Sequence, residues 1–277
     1  VTSGFGGATV REALDSAVIA IAAGGSDTPR LDAELLLAQA LGVGRASLFT
    51  DPGREVSGPA VRTFQDAVRR RSVGREPVAY ILGSKGFRHI ELCVDERVLM
   101  PRPETELLVE VGLSLAPGAR VVDVGTGSGA VALALKHERP DLDVVGTDLS
   151  RDAIDVARAN AARLRLAVEF LHGDLLADAG SCDAVLSNPP YVAEGERSSL
   201  APEIVRHEPP QALFAGADGL DVIRRLVPAA AGASLLAIEV GSGQAGAVAA
   251  LLEAAGFGDV HARLDLAAIE RVVVGRR

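Results

Sequence analysis

The chain has 277 residues, 48% of them hydrophobic, and a formal net charge of −9. That length suits one large or two modest domains with an ample core, and no window approaches a membrane span. The charge is uneven: residues 1–85 hold ten Lys/Arg against nine Asp/Glu, which leaves −10 on the remainder. An acidic main part argues against tight, nonspecific binding to nucleic-acid phosphates and suits a cationic cofactor or a basic protein partner. The N-terminus lacks a basic stretch followed by a long apolar run, so a cytoplasmic location is expected. Cys93 and Cys182 stand far apart in apolar contexts, with neither zinc spacing nor redox pairing. Two buried thiols in a reducing compartment, and no metal site, are the expectation.

Residues 8–83 read as helical. Thr9-Val10-Arg11-Glu12 fits a capping box, and Leu14, Val18 and Ile21 recur until Gly24-Gly25 stops the helix. Asp27-Thr28-Pro29 opens a second helix with Leu31, Leu35, Leu36 and Ala38 on its inner stripe. Ser57 is placed to cap a third, running through Val61, Phe64 and Val68 to Arg69-Arg70-Arg71, a basic end that suits the helix dipole or a partner. Residues 84–99 read as a short β element, Pro101-Arg102-Pro103 as a junction, and 104–115 as a helix. From Arg120 strands and helices alternate, the sign of a parallel sheet covered on both faces. Strands are predicted at 120–124, 143–147, 167–171, 184–187, 234–239, 258–263 and 271–274. Helices are predicted near 130–137, 151–164 with Ser150 as N-cap, 221–230 and 244–255. The longest irregular connection, 192–219, directly follows the candidate site below and reads as a substrate-binding loop.

The candidate site is Asn188-Pro189-Pro190-Tyr191, at the end of an apolar strand. Two consecutive prolines hold the loop stiff, because each fixes its own φ and Pro190 restricts Pro189 to extended geometry. The Asn188 side chain and the Pro189 carbonyl are then two fixed acceptors, able to hold both hydrogens of a planar –NH2 group, while the Tyr191 ring can cover a flat substrate. A bare turn is the plainer reading, but strand carboxyl ends are where α/β sheets bind ligands. A second loop, Gly125-Thr126-Gly127-Ser128-Gly129, follows the predicted strand at 120–124. It is G-x-G-x-G, neither the dinucleotide fingerprint nor a P-loop, since no Lys follows. Asp148 ends the next strand, where an acid receives ribose hydroxyls, and Asp123 adds charge below the glycines. Gly173-Asp174, with Leu175 after it, is placed to meet an adenine; a turn aspartate is the alternative for Asp174.

Together these residues resemble the adenosylmethionine site of class I methyltransferases. With Asn188–Tyr191 added, the chain resembles the HemK family of release-factor glutamine N5-methyltransferases over nearly its whole length. The specific matches are Glu76-Pro77-Val78-Ala79-Tyr80-Ile81-Leu82-Gly83 and Val98-Leu99-Met100-Pro101-Arg102-Pro103-Glu104-Thr105-Glu106. His207-Glu208-Pro209, Ala212-Leu213, Asp218-Gly219-Leu220-Asp221 and Ile238-Glu239-Val240-Gly241 with Gln244 are also family-like. The resemblance implies an α/β fold: a Rossmann-like, mostly parallel seven-stranded sheet (101–277), a β-hairpin linker (84–100) and a small helical substrate-binding domain (1–83). It implies methyl transfer from S-adenosylmethionine, leaving S-adenosylhomocysteine, to the Gly-Gly-Gln glutamine of bacterial class I peptide chain release factors. A monomer is the default expectation, with no direct nucleic-acid contact given the acidic main part and no membrane contact given the lack of an apolar span. Asn188, Pro189 and Tyr191 would be catalytic and, with Pro190, hold the substrate. Asp123, Gly125, Thr126, Gly127, Ser128, Gly129, Asp148, Asp174, Leu175 and Asn188 would hold the cofactor. Arg102, Glu104 and Glu208 are left between structural ion pairing and substrate contact.

Two departures stand out. Ala268-Ile269-Glu270-Arg271 occupies the place of a Gly-x-Asp-Arg turn, and Leu175 replaces an aromatic residue, so stacking beside Asp174, as beside Leu99, would be aliphatic. An adenine-N6 methyltransferase would use the same loop on an exocyclic amine, but should show a basic groove or base-reading domain. A glutamine methyltransferase acting on a ribosomal protein, or an idle adenosylmethionine-binding protein, are the remaining alternatives.

Overall fold

The computed structural model describes residues 7–277. The chain forms two compact units, one of the described residues up to Gly83 together with Pro202–His207, the other of Ser84–Ala201 and Glu208–Arg277. Residues 1–6 of the predicted N-terminal domain lie outside the described residues. No helix among the described residues is long and apolar enough to cross a membrane.

The first unit packs α1 (Val10–Ala23), α2 (Pro29–Leu41), α3 (Ser47–Thr50), α4 (Pro59–Ser72) and α5 (Val78–Leu82) around Leu14, Ile21, Leu36, Leu37 and Phe64. The predicted capping box is present: the Thr9 hydroxyl accepts from Glu12 N, and the Glu12 carboxylate accepts from Thr9 N. The inner face of α2 differs from the predicted stripe. Leu31 is exposed and Leu35 half-buried, whereas Asp32 and Glu34 turn inward with Ala33, Leu36 and Leu37. The reason lies on α4, whose buried Arg71 Nε donates to Asp32 Oδ2 at 2.7 Å. Ser57 is not the cap of α4; Gly58, at φ 63°, precedes Pro59 at the first helical position. Arg69, Arg70 and Arg71 bond Asp66, Glu76 and Asp32 respectively, so carboxylates as well as the helix end explain the basic run. Asp32→Ala would strand the Arg71 charge inside the unit. Urea unfolding should show a loss of about 3 kcal/mol; a loss below about 1 kcal/mol would mean that Ser26 Oγ and Glu203, also beside Arg71, suffice.

In the second unit β1 (Ser84–Phe87) and β2 (Ile90–Cys93) form an antiparallel hairpin. Its alternating burial turns Cys93 outward, and Cys182 is only half-buried, which corrects the expectation of two buried thiols. The main sheet contains β3 (Arg120–Val124), β4 (Asp143–Asp148), β5 (Glu169–His172), β6 (Ala184–Ser187), β7 (Leu235–Glu239), β8 (Asp259–Leu264) and β9 (Glu270–Arg276). Their order is β5-β4-β3-β6-β7-β9-β8, parallel from β5 to β7, with β9 antiparallel to β7 and β8. Strands β6 and β7 are buried at every residue, which is why they read as continuous apolar runs rather than alternating ones.

The helices are α6 (Glu106–Leu113), α7 (Ala130–Glu138), α8 (Arg151–Leu164), α9 (Pro202–His207), α10 (Asp221–Ala229) and α11 (Ala245–Ala254). Ile223, Leu226 and Val227 of α10 and Val248 and Leu252 of α11 share one core with Val122, Val185, Leu236 and Ile238 of the sheet. Ser150 caps α8 as predicted, accepting from Ala153 N. The predicted irregular stretch at 192–219 is instead punctuated by α9 and by short 3-10 helices at Glu194–Ser199 and Pro210–Ala212. Short helices satisfy backbone groups that a bare loop would leave to water. Within the first unit α9 is tied to the chain after α4: Arg75 Nη2 donates to Glu203 Oε2 at 2.5 Å, and His207 Nε2 meets Gly74 O at 2.8 Å. At the departure from the family turn, Ala268 takes a left-handed φ of 60°, and Asp265 Oδ1 accepts from both Ala267 N and Ile269 N.

Candidate active site

Strand order reverses between β3 and β6, and the loops leaving these two strands flank a cavity of about 320 Å³. The glycine loop turns there because Gly125, Gly127 and Gly129 take φ of 72°, 55° and 82°, values an L side chain resists. Gly125 N and Thr126 N both donate to Thr147 O at 2.9 Å, which pins the loop to β4. Asp148 Oδ2 accepts from Gly127 N and Oδ1 from Ser150 N, each at 2.9 Å. One carboxylate therefore joins the glycine loop to the start of α8, and burial raises its pKa.

The predicted residues divide in two. Gly125, Gly127, Asp148, Asp174 and Leu175 line the cavity, as do Asn188, Pro189 and Pro190. Asp123, Thr126, Ser128, Gly129 and Tyr191 do not. Asp123, 2% exposed, accepts from Thr126 Oγ1 at 2.6 Å and from Ala132 N at 3.2 Å. It staples the loop to α7 from behind, and burial pushes its pKa up to about 6. Asp174 pairs with Arg225 of α10 at the cavity rim, a cation the sequence did not single out. Leu99 also lines the cavity.

The stiff loop is anchored at both ends. Ser187 Oγ donates to Val124 O at 2.8 Å, and Gln244 Nε2 donates to Tyr191 O at 2.9 Å. Asn188 Nδ2 donates to Thr105 Oγ1 at 3.1 Å, while its Oδ1 is buried without a hydrogen-bond partner among the described residues. Tyr191 OH donates to Glu239 Oε1 at 3.4 Å, and burial raises the phenol pKa further into the alkaline range. Thr105 and Glu239, both buried, sit inside segments the sequence marked as family-like, but neither received a role. The signal for Glu239 was a carboxylate ending the apolar run Leu235-Leu236-Ala237-Ile238. Asn160 was missed altogether: its Nδ2 donates to Ser128 O and Cys93 O, tying the glycine loop to β2. Of the three residues left open, Arg102 Nη2 donates to the buried Glu208 Oε1 at 2.5 Å, and Glu208 Oε2 has no partner among the described residues.

Comparison with known proteins agrees with this architecture. Residues 12–83 match the PrmC N-terminal domain, and residues 103–232 the methyltransferase small domain. The hMettl16 catalytic domain in complex with MAT2A 3'UTR hairpin 6 superposes with a TM-score of 0.55 at 15% identity, covering 81% of this chain and 84% of that one. At that identity the likeness speaks for the fold alone. The release factor glutamine methyltransferase of Caulobacter vibrioides is 43% identical over 262 residues, 91% of this chain and 90% of that protein. That of Deinococcus radiodurans is 40% identical over 276 residues, 97% and 98% of the two chains. Likeness of this degree runs through both the helical unit and the sheet, and the chain belongs to the release factor glutamine methyltransferase family.

Proposed function

We propose that the protein transfers a methyl group from S-adenosylmethionine to the side-chain nitrogen of the Gly-Gly-Gln glutamine in class I peptide chain release factors. The observation that carries this reading is Asn188 on the cavity wall, its Oδ1 buried and without a partner among the described residues. A buried acceptor without a donor is costly, so a ligand N–H is the natural partner. Asn188 Oδ1 and the Pro189 carbonyl would accept the two hydrogens of the glutamine –NH2. This turns the amide nitrogen toward the methyl donor and stabilises positive charge as it develops there. The proton leaves to solvent, since an N-protonated amide is strongly acidic. Tyr191 would bear on the amide plane.

The residues present suit the cofactor. Asp148 lines the cavity as a carboxylate, with acceptor capacity beyond its bonds to Gly127 N and Ser150 N for ribose hydroxyls. A Cβ on Gly127 would meet no atom within 4 Å, so that bend of the loop has open space beside it. Asp174 and Leu175 would take the adenine, and the acidic surroundings favour a cation. When bound, S-adenosylmethionine supplies an activated methyl group on sulfur and leaves as S-adenosylhomocysteine. Asp123, Thr126, Ser128 and Gly129 would serve from behind by shaping the loop. We assign residues 1–83 to substrate holding, 84–100 to a hairpin linker and 101–277 to methyl transfer. A related protein of the same fold, a Thermus thermophilus 16S rRNA methyltransferase, was solved with AdoMet and guanosine at a TM-score of 0.50.

Peptide mass spectrometry on a release factor incubated with the protein and S-adenosylmethionine tests the reading. One added methyl on the Gly-Gly-Gln glutamine is expected. Its absence, with cofactor binding verified, would redirect attention to a ribosomal-protein amide or an adenine.

A further inference from the structure

Behind Asn188 lies a chain of buried polar groups. Asn188 Nδ2 donates to Thr105 Oγ1, the Thr105 hydroxyl lies beside the Glu239 carboxylate, and Tyr191 OH donates to that carboxylate at 3.4 Å. Thr105 is 4% exposed and Glu239 1% exposed. Glu239 Oε2 and Asn188 Oδ1 are both buried without partners among the described residues.

A hydroxyl has one proton to give. An ionised carboxylate only accepts, so it takes that proton and leaves Thr105 Oγ1 to accept an N–H. Asn188 must then turn Nδ2 toward Thr105 and keep Oδ1 toward the cavity. A protonated carboxyl reverses the order. It donates to Thr105, Thr105 donates to Asn188 Oδ1, and the amide turns over to present Nδ2. A substrate –NH2 would then meet a donor where it needs an acceptor.

We propose that Glu239 is a positioning residue for methyl transfer: acting through Thr105, its charge sets which end of the Asn188 amide faces the substrate. The inference rests on the role proposed above for Asn188. The groups around Glu239 come from three segments. Burial, the largest influence, together with Glu104 pushes its pKa up, while Thr105, Tyr191 and Arg271 of β9 hold it down, and the balance is about 7. The site is thus set above neutrality and unset in acid.

The test is kcat for methylation of a recombinant release factor at saturating cofactor, from pH 6 to 9. The wild type should lose about tenfold per pH unit below pH 7. Glu239→Gln should lose that acid limb and run at least about tenfold slower at pH 8, because a neutral amide no longer dictates the Thr105 proton. Thr105→Val should be slowed similarly and Thr105→Ser should recover most of the rate, with cofactor Kd changed less than about twofold throughout. The raised carboxyl favours folding while it holds its proton, and this is lost as pH rises through about 7. Glu239→Gln should therefore melt higher than the wild type at pH 8.5, a gain that a merely scaffolding carboxylate would not combine with a slower reaction. Wild-type kcat in Glu239→Gln at pH 8, or a retained acid limb, would overturn the proposal while leaving the reaction intact. A wild type unable to methylate the release factor would overturn both readings.

Discussion

Asn188→Ala should lower kcat for glutamine methylation by about a thousandfold, roughly 4 kcal/mol at the transition state. The substitution removes the Oδ1 acceptor and also the Nδ2 donor that meets Thr105. The Pro189 carbonyl stays in place, because the two prolines fix the loop and Ser187 and Gln244 anchor its ends. One acceptor cannot hold both hydrogens of a planar amide, so the nitrogen is left free to rotate away from the methyl donor. Single-turnover kinetics at saturating cofactor isolates this loss. Cofactor Kd, measured by calorimetry, should stay within about tenfold of wild type. A variant that transfers methyl at the wild-type rate would remove Asn188 from the mechanism.

Asp148→Ala should have the opposite signature, weakening S-adenosylmethionine binding by about a hundredfold or more, roughly 3 kcal/mol. Two losses add. The ribose hydroxyls lose a charged acceptor, worth more than a neutral one. Gly127 N and Ser150 N lose the carboxylate that holds the glycine loop beside the start of α8. Asp148→Asn should fall between, since one oxygen can still take one of these N–H groups while the amide nitrogen repels the other. If calorimetry finds Asp148→Ala binding the cofactor as wild type does, the ribose assignment fails and the carboxylate is a loop staple alone, as Asp123 is.

Both arguments start from loops visible in the chain. Glycines at 125, 127 and 129 and prolines at 189 and 190 announce sharp backbone geometry wherever they stand, and the Val-rich strands around them announce a buried parallel sheet. Strands β3 and β6 and helix α8 accordingly fall on the predicted residues. The misreadings have a common origin. Leu31 was expected inside, because apolar periodicity cannot foresee that Arg71, 39 positions from Asp32, will draw that carboxylate inward. Cys93 was expected inside because its neighbours are apolar, but a two-stranded hairpin buries only alternate residues. Asp123 was read as lying below the glycines, and it is enclosed there, bonded to Thr126.

By itself, then, the chain determines which segments become strands and helices, where the two tight loops fall and which chemistry those loops resemble. These follow from φ restriction and apolar spacing, which act over a few residues. The polarity of the site was decided only by the tertiary structure. Thr105, the Asn188–Tyr191 loop and Glu239 come from three separate segments and meet only when β6 and β7 lie side by side. Their proton preferences depend on exclusion of water and on partners distant in the chain, and neither quantity exists until the core has closed.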